Sequence, residues 1–315
     1  MADSPPPPST WNFTTMAGNV VQFLRLPVLA SSGLAIIASG MLYFKQNEII
    51  YPRNVPIGSR TEVPKPSDFG MNDYEDLRIP TPDGESLAAL FIRPSQTRHS
   101  KPKITVLMFH GNAGNIGHRL PIAQALEQSL NCNILMLEYR GYGQSTGTPD
   151  EQGLKIDAQT GLDYIRRRAE TSDTKVLVYG QSIGGAVAID LTAKSQQRGD
   201  VAGLILENTF LSVRKMIPSV FPAAKYVVRL CHQYWASEDT LPKITQVPIL
   251  FLSGLKDEIV PRPLSPSHMA QLFSICKSST KVWRTFPNGQ HNDTVAEPGY
   301  FDHIYSFVVD HVLDD

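Results

Sequence analysis

The sequence contains only three cysteines, Cys132, Cys231 and Cys276, and no Cys-x-x-Cys pair. That leaves neither a cysteine zinc motif nor a dithiol redox motif, and the three read as structural thiols. Charge of one sign is also missing: 29 Lys and Arg stand against 30 Asp and Glu, for a net charge of -1. With no basic field to gather phosphates, nucleic acid is not expected as a partner. No internal period of roughly 20–50 residues recurs, which argues against a repeat architecture. Charged residues make up 19% of the chain and hydrophobic ones 42%, which rules out global disorder and coiled coil. What remains is a 315-residue chain with ample apolar material for one large core.

Two segments precede the expected globular part. Residues 1–25 include the run Pro5 to Pro8 without hydrophobic periodicity, and are expected to be disordered. Residues 26–44 carry no charge and are bounded by Arg25 and Lys45. A helix rising about 1.5 Å per residue there nearly crosses a hydrocarbon core about 30 Å thick, with Tyr43 as an interfacial residue. A single transmembrane anchor is expected; a cleaved signal peptide ending near Ala38-Ser39-Gly40 and a buried amphipathic helix are the alternatives. Arg25 alone precedes this span, whereas Lys45, Arg53 and Arg60 follow it, which favours a cytosolic C-terminal domain. The sequons Asn12-Phe13-Thr14 and Asn292-Asp293-Thr294 lean the same way, because a glycan on the second would obstruct the histidine beside it. The expected location is a single-pass protein of the endoplasmic reticulum or plasma membrane, its orientation left open.

Residues 45–315 alternate short apolar runs with helical patterns. A hairpin is predicted from 76–79 and 87–92, joined by the turn residues Pro82-Asp83-Gly84. Strands follow at 104–109, 134–139, 176–179, 204–206, 249–252 and 282–286, and helices at 118–130, 151–168, 184–194, 267–276 and 300–312. Strands without polar alternation, interleaved with helices, describe an α/β fold whose largely parallel sheet is buried on both faces. Residues 210–246 break the rhythm with apolar residues at mixed spacing and with Pro218 and Pro222, and read as a small helical cap. An ordinary connecting helix with an apolar inner face is the stronger reading for any single residue there.

Gly180-Gln181-Ser182-Ile183-Gly184-Gly185 lies between a strand and a helix. A Gly-x-Ser-x-Gly in that context forces a tight turn that lifts the serine oxygen clear of the sheet, which makes Ser182 the candidate nucleophile. A serine hydroxyl needs a base, and the base needs an orienting acid, in the chain order Ser, Asp, His. Asp257, just past strand 249–252, is the preferred acid; Glu258 is its neighbour, and Glu207 at the end of the preceding strand is the rival. His291 follows the last strand through a glycine-bearing loop and is the candidate general base, then general acid.

The oxyanion formed on attack needs two backbone donors. One is the amide of Ile183; the other is expected from His110-Gly111-Asn112-Ala113-Gly114-Asn115, with Asn112 first and Ala113 second. His110 and His118 lack a third zinc ligand, and no Gly-Lys-Ser/Thr follows to make a P-loop.

These motifs, together with Tyr139-Arg140-Gly141-Tyr142-Gly143, Glu207-Asn208-Thr209-Phe210 and the run from Gly254 to Pro261, resemble the α/β-hydrolase superfamily. More narrowly, residues 45–312 are similar to the fungal bud-emergence proteins and to animal abhydrolase-domain-containing membrane serine hydrolases. The resemblance implies the α/β-hydrolase fold, a triad of Ser182, Asp257 and His291, a single membrane anchor and no cofactor or metal. It implies hydrolysis of acyl esters or thioesters, S-acylated proteins or lipids among them. A catalytically idle member acting as a membrane-tethered interaction protein in cell polarity or morphogenesis is the alternative. Arg262-Pro263-Leu264-Ser265-Pro266 departs from the pattern by lengthening the loop after Asp257.

Overall fold

The computed structural model describes residues 39–95, 101–220, 222–260 and 267–313, with Arg25, Leu29, Gly33, Ile36 and Ile37 before them. The chain divides into two compact units between Gln46 and Asn47. Residues 1–24, nearly half of the expected span 26–44, and the lengthened loop at Arg262 to Pro266 lie outside the described residues. The residues described within the span are helical, with Ile36, Ile37, Met41 and Phe44 exposed. Among the described residues no helix is long and apolar enough to cross a membrane.

The second unit is built on an eight-stranded sheet in the order β1-β2-β4-β3-β5-β6-β7-β8. Its strands are β1 (Tyr74–Pro80), β2 (Ser86–Ile92), β3 (Ile104–Phe109), β4 (Asn133–Leu137), β5 (Lys175–Gln181), β6 (Gly203–Glu207), β7 (Ile249–Gly254) and β8 (Lys281–Phe286). The β1–β2 and β2–β4 pairs are antiparallel, and every later pairing is parallel. The β1–β2 hairpin closes through Thr81 and Glu85, with Gly84 at φ 97° and the Thr81 hydroxyl donating to Asp83 at 2.6 Å.

Side chains alternate across a strand, yet both faces here are buried. On β3, Leu107 and Phe109 enter one core with Leu154, Leu162, Val187 and Leu191 of helices Glu151–Arg167 and Ile183–Ser195. Val106 and Met108 enter the other, with Leu120 and Leu126 of Leu120–Leu130 and Ile304 and Phe307 of Tyr300–Val308. Two covered faces explain apolar strands without polar alternation.

Boundaries shift where side chains have other work. β4 stops at Leu137 because the Glu138 carboxylate turns to accept from the Ile116 amide at 3.0 Å, while the Tyr139 hydroxyl donates to the His110 carbonyl at 3.0 Å. The helix predicted from 118 starts at Leu120, after a 3-10 turn over Ile116–Arg119, with Pro121 in its first turn, where no amide donor is required. The final helix keeps α geometry to Val308 and finishes as a π turn over Val309–Leu313.

Between β6 and β7 the chain forms short helices, Val213–Val220 and Ser237–Thr240, linked by 3-10 turns. Pro218 sits inside the first helix rather than before it; having no amide, it leaves the Arg214 carbonyl without a helical donor, and the helix ends two residues later. Val213 and Trp235 go into the sheet core, so for these two the inner-face reading holds. Val220 and Tyr226 remain exposed.

Residues 50–62 form a strap over the loops that follow β3 and β4. Gly114 N donates to Val55 O at 2.7 Å, Asn115 Nδ2 donates to the carbonyls of Ser59 and Glu62 at 2.9 Å, and Arg60 donates to those of Gly141 and Ser145. Tyr51 locks the strap from inside: its hydroxyl donates to Gln233 Oε1 at 2.8 Å and accepts from Trp235 Nε1 at 2.9 Å. Tyr51→Phe leaves the buried indole donor unpaired, a cost of about 1–3 kcal/mol. A thermal melt should show a Tm several degrees lower with an unchanged far-UV spectrum.

Candidate active site

Ser182 caps the start of helix Ile183–Ser195 at φ 54° and ψ -117°, a conformation L-residues rarely adopt. The turn exists because glycines surround it. A Cβ at Gly180 would lie 2.3 Å from the Gly184 carbonyl oxygen, and one at Gly184 would lie 2.2 Å from that of Phe109. The turn is tied to the next strand: Ser182 N donates to Glu207 O at 2.9 Å, and the Thr209 hydroxyl donates to Ser182 O at 2.7 Å. A strained backbone held from both sides is what a fixed nucleophile requires.

Asp257 follows β7, two strands along the sheet from β5, and His291 follows β8, the next strand. The His291 ring Nδ1 lies 2.9 and 3.0 Å from the two Asp257 carboxylate oxygens. Asp257 Oδ1 also accepts from the amides of Ile259 and Val260, at 3.0 and 2.8 Å, so its orientation is set by its own loop. Both side chains are nearly buried, and a carboxylate on Nδ1 leaves Nε2 as the free end of the imidazole, the orientation of a general base.

The competing acids have other partners. Glu207 is fully buried and accepts from the hydroxyls of Tyr179 and Tyr300, the latter at 2.6 Å, and from Gln181 Nε2 at 3.2 Å. Burial raises its carboxyl above the usual range against the lowering effect of these donors. It braces the sheet beneath the Ser182 turn. Glu258 Oε2 accepts from the backbone amide of His291 at 3.2 Å, supporting the histidine main chain rather than its ring.

The loop after β3 reaches the serine. A Cβ on Gly111 would lie 3.7 Å from Ser182 Cβ, within van der Waals contact, and a tight 3.0 Å from Gln181 Oε1. The Asn112 side chain is tied to two distant groups: Nδ2 donates to Ile50 O at 2.5 Å and Oδ1 accepts from the Tyr142 hydroxyl at 2.6 Å. These bonds hold Asn112 in place with its backbone amide as the candidate oxyanion donor, and Ala113 beside it takes φ 72°. The His110 ring packs tilted against Tyr139, centroids 4.4 Å apart, its Nε2 lying 3.0 Å from Glu138 Oε1 in a geometry that makes no hydrogen bond. His118 Nδ1 accepts from the Asn115 amide at 3.3 Å. Both histidines serve the loop.

Asn208 and Thr209 stand in the sequence only as part of the motif Glu207-Asn208-Thr209-Phe210, with no role of their own, yet they touch the main chain of the candidate base and nucleophile. The available signal was an asparagine directly after a strand, where a left-handed residue ends the run.

The family described as Hydrolase_4: Serine aminopeptidase, S33 matches residues 100–245. Protein bem46 of Schizosaccharomyces pombe is 46% identical over 301 residues, 95% of this chain and 98% of that protein. The alpha/beta hydrolase domain-containing protein WAV2 of Arabidopsis thaliana is 34% identical, over 83% of this chain and 86% of that one. The chain belongs to the α/β-hydrolase family. Another relative, YNL320W of Saccharomyces cerevisiae, carries the name uncharacterized membrane protein and is 40% identical over 88% of this chain and 93% of its own. Among solved structures, an alpha-beta hydrolase from Vibrio vulnificus superposes with a TM-score of 0.65 at 19% identity, over 83% of this chain and 91% of that one. That likeness concerns the fold.

Proposed function

We propose that this α/β-hydrolase is a membrane-anchored serine hydrolase that cleaves acyl esters or thioesters through Ser182, His291 and Asp257. The observation that carries the proposal is the buried Asp257 carboxylate on His291 Nδ1 at 2.9 Å, two strands from the strained Ser182 turn. Nε2 of His291 takes the Ser182 proton as Oγ attacks the acyl carbonyl, and Asp257 stabilises the imidazolium. The oxyanion is met by the backbone amides of Ile183, at a helix N-terminus, and Asn112. Collapse expels the alcohol or thiol, which takes its proton from His291. Water, deprotonated by the same ring, then releases the acid and restores Ser182.

The anchor is the charge-free run 26–44; the membrane designation of the yeast relative supports it. An anchor of this kind holds the site near lipid, and Val220 and Tyr226 leave apolar surface exposed in the segment between β6 and β7. We take long acyl chains to be the preferred substrates, with S-palmitoylated protein as the leading candidate. Each methylene buried contributes about 0.8 kcal/mol, roughly fourfold in kcat/KM until the binding surface is filled. Detergent-solubilised protein assayed on matched thioesters of increasing chain length, below their aggregating concentrations, should show that rise. A flat or falling profile, or faster cleavage of aminoacyl amides, rejects the lipid-facing substrate class and leaves the serine chemistry standing.

A further inference from the structure

We propose that Asn208 is the positioning residue that holds Asp257 and His291 in register, an inference that rests on reading Ser182, His291 and Asp257 as a triad. Asn208 is buried, directly follows β6 and adopts φ 44°. Its amide group spans the gap between the loops that carry the acid and the base. Oδ1 accepts from Gly254 N at 2.8 Å, the last residue of β7 and three positions before Asp257. Nδ2 faces the carbonyls of Gln290 and His291, both at 3.2 Å, and the Thr294 hydroxyl at 3.0 Å. The backbone amide of Asn208 donates to Leu252 O at 3.2 Å.

Only asparagine meets these demands. The site needs an acceptor towards Gly254 and a donor towards three oxygens at once, which a short primary amide supplies and a carboxylate does not. The left-handed backbone disfavours most other side chains. The fit is close all round: a Cβ on Gly254 would lie 2.3 Å from Thr294 Oγ1 and 2.6 Å from Gly289 O. Asp257 and His291 sit on separate loops, and the Asn208 side chain bonds both the end of β7, three residues before Asp257, and the main chain of His291. Productive catalytic geometry tolerates about 0.5 Å of displacement. Loosening this link moves the carboxylate relative to Nδ1 without removing either group.

The test uses the full-length protein in detergent and a double-mutant cycle between Asn208→Gly and Asp257→Asn, with turnover of a short p-nitrophenyl ester and thermal melting as readouts. Glycine tolerates φ 44°, so the backbone is kept and only the bridge is lost. The expected result is a kcat lower by roughly 100-fold with KM little changed, the scale of a misplacement of about 1 Å. In the Asp257→Asn background the same substitution should cost less than about threefold, because the contact it positions is already gone. If Asn208→Gly does not fold, Asn208→Asp keeps the acceptor for Gly254 and loses the donor, and the same two comparisons apply. Near-normal kcat in the folded variant, or a loss of equal size in both backgrounds, overturns the proposal. Full activity in Asp257→Asn alone removes the triad reading itself.

Discussion

Ser182→Ala and His291→Ala are each expected to lower turnover of a short p-nitrophenyl ester by at least roughly 10⁴-fold, because nucleophile and base act as a unit. Fluorophosphonate labelling should vanish in Ser182→Ala, which has no oxygen to phosphonylate, and fall steeply in His291→Ala. Stability should hardly change in either variant. The hydrogen bonds that hold the Ser182 turn run through its backbone N and O, to Glu207 O and from Thr209 Oγ1, and alanine keeps both. The histidine loop likewise keeps its backbone bonds to Asn208 and Glu258. Activity surviving in both variants would defeat the assignment. Wild-type protein that is folded yet takes no label and turns over no ester would favour the idle, membrane-tethered interaction protein.

Asp257→Asn should cost about 10³- to 10⁴-fold in kcat, since an amide beside Nδ1 favours the wrong tautomer and cannot stabilise the imidazolium. Glu207→Gln should cost less than about tenfold in kcat and about 1–3 kcal/mol in stability. The difference follows from their surroundings. The Asp257 carboxylate faces the His291 ring, whereas Glu207 faces the hydroxyls of Tyr179 and Tyr300 and the amide of Gln181. An amide at 207 must turn its NH₂ towards groups that now donate, which loosens the packing below the turn. Steady-state kinetics and melting curves on both variants separate the roles. An inactive Glu207→Gln beside an active Asp257→Asn would move the acid to β6.

What the sequence determined by itself is what short-range chemistry encodes. The Ser182 turn was legible because Gly180, Gly184 and Gly185 lie within three residues of it, and the clashes they avoid involve local backbone and the adjoining strands. The central strands were legible because parallel strands covered on both faces are apolar throughout, as β3 and β4 are, and the β1–β2 hairpin was legible from the turn residues Pro82-Asp83-Gly84 between its strands. Chain order pointed to Asp257 and His291, whose contact across 34 residues the tertiary structure then made. Only that structure decided the role of Glu207, which a sequence shows as an acid at a strand end and the fold surrounds with Tyr179, Gln181 and Tyr300. It also turned the Asn112 side chain away towards Ile50, 62 residues earlier, and joined Tyr51 to Gln233 across 182. Asn208 belongs with these, since its partners Gly254 and His291 lie 46 and 83 residues away. Turns and strand faces follow from neighbours within a few positions, whereas these contacts depend on sheet order, which brings β6 between β5 and β7 and sets one side chain against two distant loops.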